Sequence, residues 1–114
     1  MKLAPEAQVV GGWEWEHFRR CADRASHKVL GRQACVTAGY NGQHMEGSYH
    51  YIGQAFDLRV WLECSVYTGR FSNDQCEKYA IELRLQLGDC WDVVVHYSSD
   101  QEFVTHIHCE MDLK

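Results

Sequence analysis

The final stretch of the chain sets the strongest limit on its fold. The runs "WDVVVHY" (91–97) and "FVTHIHCEM" (103–111) are rich in β-branched and aromatic residues, with the polar turn "SSDQ" between them. Two such runs across a short polar turn form an antiparallel hairpin. An isolated hairpin is marginal in water, so the rest of the chain has to cover its apolar face.

The upstream sequence contains what is needed. From Trp13 to about Leu30, residues Trp15, Phe18, Ala22, Ala25 and Val29 recur at three- and four-residue intervals, the signature of one buried helix face. Gly31 suits the helix stop. "QACVTAGY" reads as a short strand, and the glycines at 39, 42 and 47 mark a loop after it. "AFDLRVWL" reads as a strand with Phe56, Leu58 and Val60 on one face and Asp57 and Arg59 on the other. A second helix follows. Ser72 and Gln75 form a capping box, Cys76, Tyr79, Ala80, Leu83 and Leu87 form the buried stripe, and Gly88 ends it. The order α-β-loop-β-α-β-β predicts an α+β domain, a small, mainly antiparallel sheet with two helices packed on it. Residues 1–12 read as an N-terminal arm and 13–114 as a single domain.

Charge and composition exclude several function classes. A formal net charge of -5 gives no basic face for a nucleic-acid partner. No apolar run reaches the roughly 18 residues that a membrane span needs, so no membrane insertion is expected. The first twenty residues hold no apolar stretch of secretory length, which predicts synthesis in a cytoplasm without a signal peptide. The six cysteines include no Cys-x-x-Cys pair, so the usual structural-zinc spacing is absent. An even count in a short chain is compatible with disulfides, but without a signal peptide the expectation is free thiols.

Histidine placement points to chemistry. On the last strand, alternation puts Val104, His106, His108 and Glu110 on one face. Asp57 comes from another strand, and His50 from the loop leading into it. Two imidazoles and a carboxylate supply three of zinc's four tetrahedral positions, and a fourth left to water is the layout of a catalytic site. Such a zinc lowers the pKa of water to about 7 and polarises a carbonyl. Seven histidines in a chain this short also bring some pairs together by chance, so spacing alone leaves both readings open. No His-Glu-x-x-His, Pro-Cys-x-x-Cys, Gly-x-Ser-x-Gly or phosphate-loop motif is present.

"SYHYIGQAFD" fits S-x-H-x-x-G-x-A-x-D through Ser48, His50, Gly53, Ala55 and Asp57, and "HIHCE" follows downstream. The combination resembles the zinc D-alanyl-D-alanine carboxypeptidases and endopeptidases, relatives of the Hedgehog signalling domain, and within them the short phage-type members. The resemblance covers roughly Cys35 to Asp112. It implies a Hedgehog/DD-peptidase-like fold and a zinc-dependent peptidase that cuts peptidoglycan stem peptides at a bond next to a D-amino acid. It implies zinc held by His50, Asp57 and His108, with His106 beside the metal to hold substrate or the developing oxyanion. Ser48, His44 and Arg59 would contact the substrate. Such an enzyme would belong to a phage and reach the bacterial cell wall after release, or be carried in the virion.

Two positions depart from the family. Asn41 stands in the loop where many members place an arginine, a role that His44 or Arg59 would have to take over. Thr105 stands where the family has its general base, an acid three residues before the last zinc ligand. Four groups are candidates to replace that base: Glu110, Glu102, His96 and Asp100. Glu102 is favoured, since a turn curling the hairpin end over the site would deliver its carboxylate. His96 comes second, because short phage-type relatives often carry glutamate there. The alternative is a catalytically degenerate zinc-binding module that binds wall fragments or a protein partner.

Overall fold

The computed structural model describes residues 2–3, 12–38, 55–60 and 69–111. Its elements are β1 (Lys2–Leu3), α1 (Trp13–Leu30), β2 (Cys35–Ala38), β3 (Ala55–Arg59), α2 (Asn73–Leu87), β4 (Trp91–Tyr97) and β5 (Val104–Met111). The sheet runs β1-β2-β3-β5-β4. β2, β3, β5 and β4 pair antiparallel. Two helices on a mainly antiparallel sheet make this a small α+β fold. The arm contributes to it: Lys2–Leu3 pair in parallel with Cys35–Val36, a long-range contact that no local pattern announces.

Both helices end as their sequences dictate. Gly31 closes α1 in the left-handed conformation at φ 72°, its N–H donating to the His27 carbonyl. Ser72 caps α2 by accepting from the Gln75 N–H, while the Gln75 side chain accepts from the Ser72 N–H. This reciprocal box satisfies two donors that a helix start otherwise leaves orphaned. The expected α2 stripe is buried throughout, and the expected α1 stripe is buried at its centre, with Trp15 and Val29 half-buried at its ends. Phe18, Ala22 and Ala25 of α1 and Cys76, Tyr79, Ala80, Leu83 and Leu87 of α2 lie in one core with Phe56, Leu58, Ile107 and Cys109 of the sheet. Phe18 stacks on Phe56 at 4.4 Å between ring centroids and on Trp91 at 5.7 Å, joining α1 to the sheet. The two helices are tied by Lys28 Nζ donating to Glu82 Oε1 at 3.1 Å and by the Cys21 thiol donating to the Gln86 carbonyl at 3.3 Å.

The hairpin differs from the expected one in two respects. Its connection runs longer, from Ser98 to Phe103, with Gln101 at φ 64° and Ser98 N–H donating to the Phe103 carbonyl at 2.8 Å. Then the register shifts: His96 faces His106, but the adjacent Tyr97 faces Val104. One extra residue, Thr105, is thus accommodated in β5 as a bulge. The expectation that Val104 shares a face with His106 is corrected accordingly. The bulge reverses the alternation, and Val104 joins the core, 2% exposed, while His106 lies on the other face. Among the described residues, no helix is long and apolar enough to cross a membrane.

Candidate functional site

The sheet face turned away from the helices collects the chemistry. β5 lies between β3 and β4, so its outward residues meet partners on both sides: Asp57 opposite His108, Arg59 opposite His106, Val94 opposite His108 and His96 opposite His106. Phe56 and Leu58 point into the core and are fully buried. Period-two geometry then turns Asp57 and Arg59 outward.

His108 Nδ1 donates to Asp57 Oδ1 at 2.9 Å, with both side chains largely buried. The Asp57 carboxylate raises the His108 pKa above its ordinary value, against the burial that would lower it. On the ring's far side, Nε2 lies 3.7 Å from Glu110 Oε2, the next outward residue of the strand. His106 Nε2 comes within 3.9 Å of Asp57 Oδ1. The His96 ring stacks on His106 at 4.6 Å and meets His108 edge-on at 6.0 Å. Thr105, in the bulge, donates its hydroxyl proton to the His96 carbonyl at 3.1 Å and lies 3.0 Å from His106 Nδ1.

Five of the expected site residues therefore meet: Asp57, Arg59, His96, His106 and His108. His50, His44 and Ser48 lie outside the described residues. Glu102 is exposed in the connecting turn. Its N–H donates to Asp100 Oδ1 and Ser98 Oγ, and its carbonyl accepts from Asn73 at the start of α2. These bonds fasten Glu102 to the helix layer, so the turn does not curl toward the histidine face. Asp100 is likewise engaged within the turn by Ser98. Of the four candidates for a base, Glu110 and His96 are the two brought to the Asp57–His108 pair. Sequence reasoning missed the role of the Thr105 hydroxyl, since only the bulge brings it to the two histidines.

The donor chemistry of the pair suits zinc. Asp57 Oδ1 and His108 Nδ1 share one proton, and a cation can take that proton's place. Two ligand atoms on a tetrahedral zinc lie about 3.3 Å apart, given zinc–ligand distances of about 2.0–2.1 Å. The 2.9 Å pair would open by only about 0.4 Å to accept the ion. Among the described residues, no group of three or more His, Cys, Asp or Glu is arranged to hold a metal. Comparison of the chain with protein-family models, with curated proteins and with solved structures finds no match.

Proposed function

We propose that the protein is a zinc-dependent peptidase that hydrolyses peptidoglycan stem peptides at a bond next to a D-amino acid. The observation that carries this reading is the pairing of Asp57 with His108 across β3 and β5 at 2.9 Å. These are two of the three positions that the S-x-H-x-x-G-x-A-x-D and His-x-His motifs assign to metal, and they are far apart in sequence. His50 is the third ligand. When bound, zinc supplies Lewis acidity at the scissile carbonyl and lowers the pKa of an attacking water. The chain's own residues supply the rest. Glu110 steadies the far nitrogen of His108, as carboxylates do behind metal-ligating histidines. Arg59 and His106, opposite each other in the sheet, orient the peptide. The site of action is the bacterial cell wall, reached after phage release or from a virion.

Metal analysis of the purified protein, with and without chelator, tests the first half of this reading. One zinc per chain is expected. His50→Ala and His108→Ala should each abolish stoichiometric zinc and lower the melting temperature, because metal-binding free energy is partly folding free energy. Full occupancy in both variants would refute the ligand assignment. Turnover of a D-alanyl stem peptide tests the second half. Thr105 in the family's acid position favours one other reading, a zinc-binding module that holds wall fragments or a protein partner without cutting. Stoichiometric zinc and peptide binding with no turnover would decide for the module.

A further inference from the structure

We propose that the outer edge of β4 joins a second copy of this chain, continuing the sheet across a two-fold axis at Val95. β4 ends the strand order, and among the described residues no strand pairs with its outer side. Strand alternation fixes which backbone groups point there. The His96 carbonyl turns toward β5, where the Thr105 hydroxyl donates to it at 3.1 Å. The Val93 carbonyl turns outward and accepts from Arg84 Nη2 at 2.9 Å. Val95 and Tyr97 share the direction of Val93, and Ser98 N–H turns inward again to the Phe103 carbonyl. Trp91 N–H bends back to the Gly88 carbonyl at 3.2 Å, so the open run is Val93 to Tyr97. Natural edge strands are blunted by lysine, proline or a bulge. "WDVVVHY" has neither lysine nor proline, and the bulge of this hairpin lies in β5.

The flank of α2 above this edge is complementary to itself. Glu77 Oε1 accepts from the Tyr97 hydroxyl at 2.7 Å at one end of β4, and Arg84 reaches Val93 at the other. α2 thus runs antiparallel to β4, with Glu77, Ile81 and Arg84, four and three residues apart, along the edge side. Ile81, between the two charges, is 53% exposed. A two-fold axis at Val95 pairs Val95 with the partner's Val95, and Val93 with the partner's Tyr97. Each such pair exchanges two N–H to carbonyl bonds. The Val93 carbonyl has a second lone pair for its share. Because Arg84 sits over Val93 and Glu77 over Tyr97, the same axis brings each Arg84 to the partner's Glu77. Ile81 meets the partner's Ile81 on the axis. One patch meets itself, and the assembly closes at two copies. An extended peptide would also fill the backbone edge, but it brings nothing to answer the α2 flank.

Residues directly opposed across an antiparallel pair point the same way. The axis therefore keeps both Asp57–His108 faces on one side of the doubled sheet. The two β5 strands lie three strand spacings apart, about 14 Å. The dimer stands independently of the peptidase reading.

Sedimentation velocity of the purified protein, over a dilution series in reducing buffer, tests the proposal. A dimer that dissociates on dilution is expected. Ile81→Asp puts like charges on the axis at an exposed position and should weaken the dimer by about tenfold or more, with far-UV circular dichroism unchanged. Glu77→Arg and Arg84→Glu should each weaken it similarly, and the double variant should recover most of the loss. Val95→Pro removes the N–H at the centre of the edge and should leave a monomer. Hydrogen exchange locates the contact: the amides of Val93, Val95 and Tyr97 should exchange more slowly at concentrations where the dimer prevails. A monomer at every concentration up to about 1 mM overturns the proposal. A dimer that Ile81→Asp and Val95→Pro both leave intact overturns it too, since its interface then lies elsewhere. Protection of these amides only when stem peptide is added to a monomeric protein overturns it in favour of a peptide on the edge. Should the charge variants fail to fold, Ile81→Asp and the exchange pattern decide.

Discussion

At the scale of single residues, Cys109 follows His108 in the chain, yet its thiol is fully buried among the core residues while the imidazole lies on the opposite face. Burial in an apolar layer, with the Asp57 charge beyond it, pushes the Cys109 thiol far above its ordinary pKa. Burial pushes Cys76 up to about 11. Cys90, by contrast, is exposed in the turn before β4, and all five described cysteines are free. A thiol-alkylating reagent at mildly alkaline pH should therefore label Cys90 in the native protein. Cys76 and Cys109 should be labelled only after denaturation, as read by peptide mass spectrometry. Rapid native labelling of Cys109 would mean that its face of the sheet opens to solvent, and the separation of thiol and imidazole would fail with it.

At the scale of elements, the two helices meet through a charge that sits almost inside the protein. Glu82 is 8% exposed, and its Oε1 accepts from Gln86 Nε2 at 3.0 Å and from Lys28 Nζ of α1 at 3.1 Å. The Gln86 hydrogen bond and then the Lys28 one hold the Glu82 pKa below its ordinary 4.5. A carboxyl whose folded-state pKa is depressed contributes stability above its unfolded value, and that stability is lost as pH falls through the folded value. Glu82→Gln should therefore cost most near neutrality, and the difference from wild type should shrink well below pH 4.5, as measured by urea unfolding at both conditions. A difference independent of pH would assign the contribution to packing alone. Because Lys28 is largely exposed, added salt should narrow the gap as well.

At the scale of the whole molecule, one aromatic layer carries the join between helix and sheet. Phe18, Phe56 and Trp91 come from α1, β3 and β4, and their rings lie 4.4 to 6.4 Å apart. Phe56 is fully buried, and its neighbour Asp57 turns the other way into the site. Removing a buried phenylalanine ring typically costs about 3–5 kcal/mol. Against a total of about 5–15 kcal/mol for a domain, that is a large share. Phe56→Ala should consequently lower the urea midpoint steeply, whereas Phe56→Leu, which keeps more volume, should lower it less. A loss under about 1 kcal/mol for Phe56→Ala would mean that the layer relaxes around the gap and does not hold α1 to the sheet.

What the sequence determined by itself is local in origin. The stripes and caps of α1 and α2 were legible because a helix buries residues three and four apart and ends on identifiable cap chemistry. The outward turn of Asp57 and the common face of His106 and His108 were legible because strand alternation depends only on near neighbours. Strand order was not, because the partners of β5 lie on either side of α2 in the sequence, and only the packed core selects the β3-β5-β4 arrangement that seats Asp57 against His108. The inward turn of Val104 was likewise decided by the tertiary structure. Turn hydrogen bonds, the tie from Asn73 to Glu102 and the pairing with β4 together fit one extra residue into β5, and a single extra residue reverses every facing assignment beyond it. That bulge seats Thr105 against His96 and His106, and the anchored turn keeps Glu102 on the helix side.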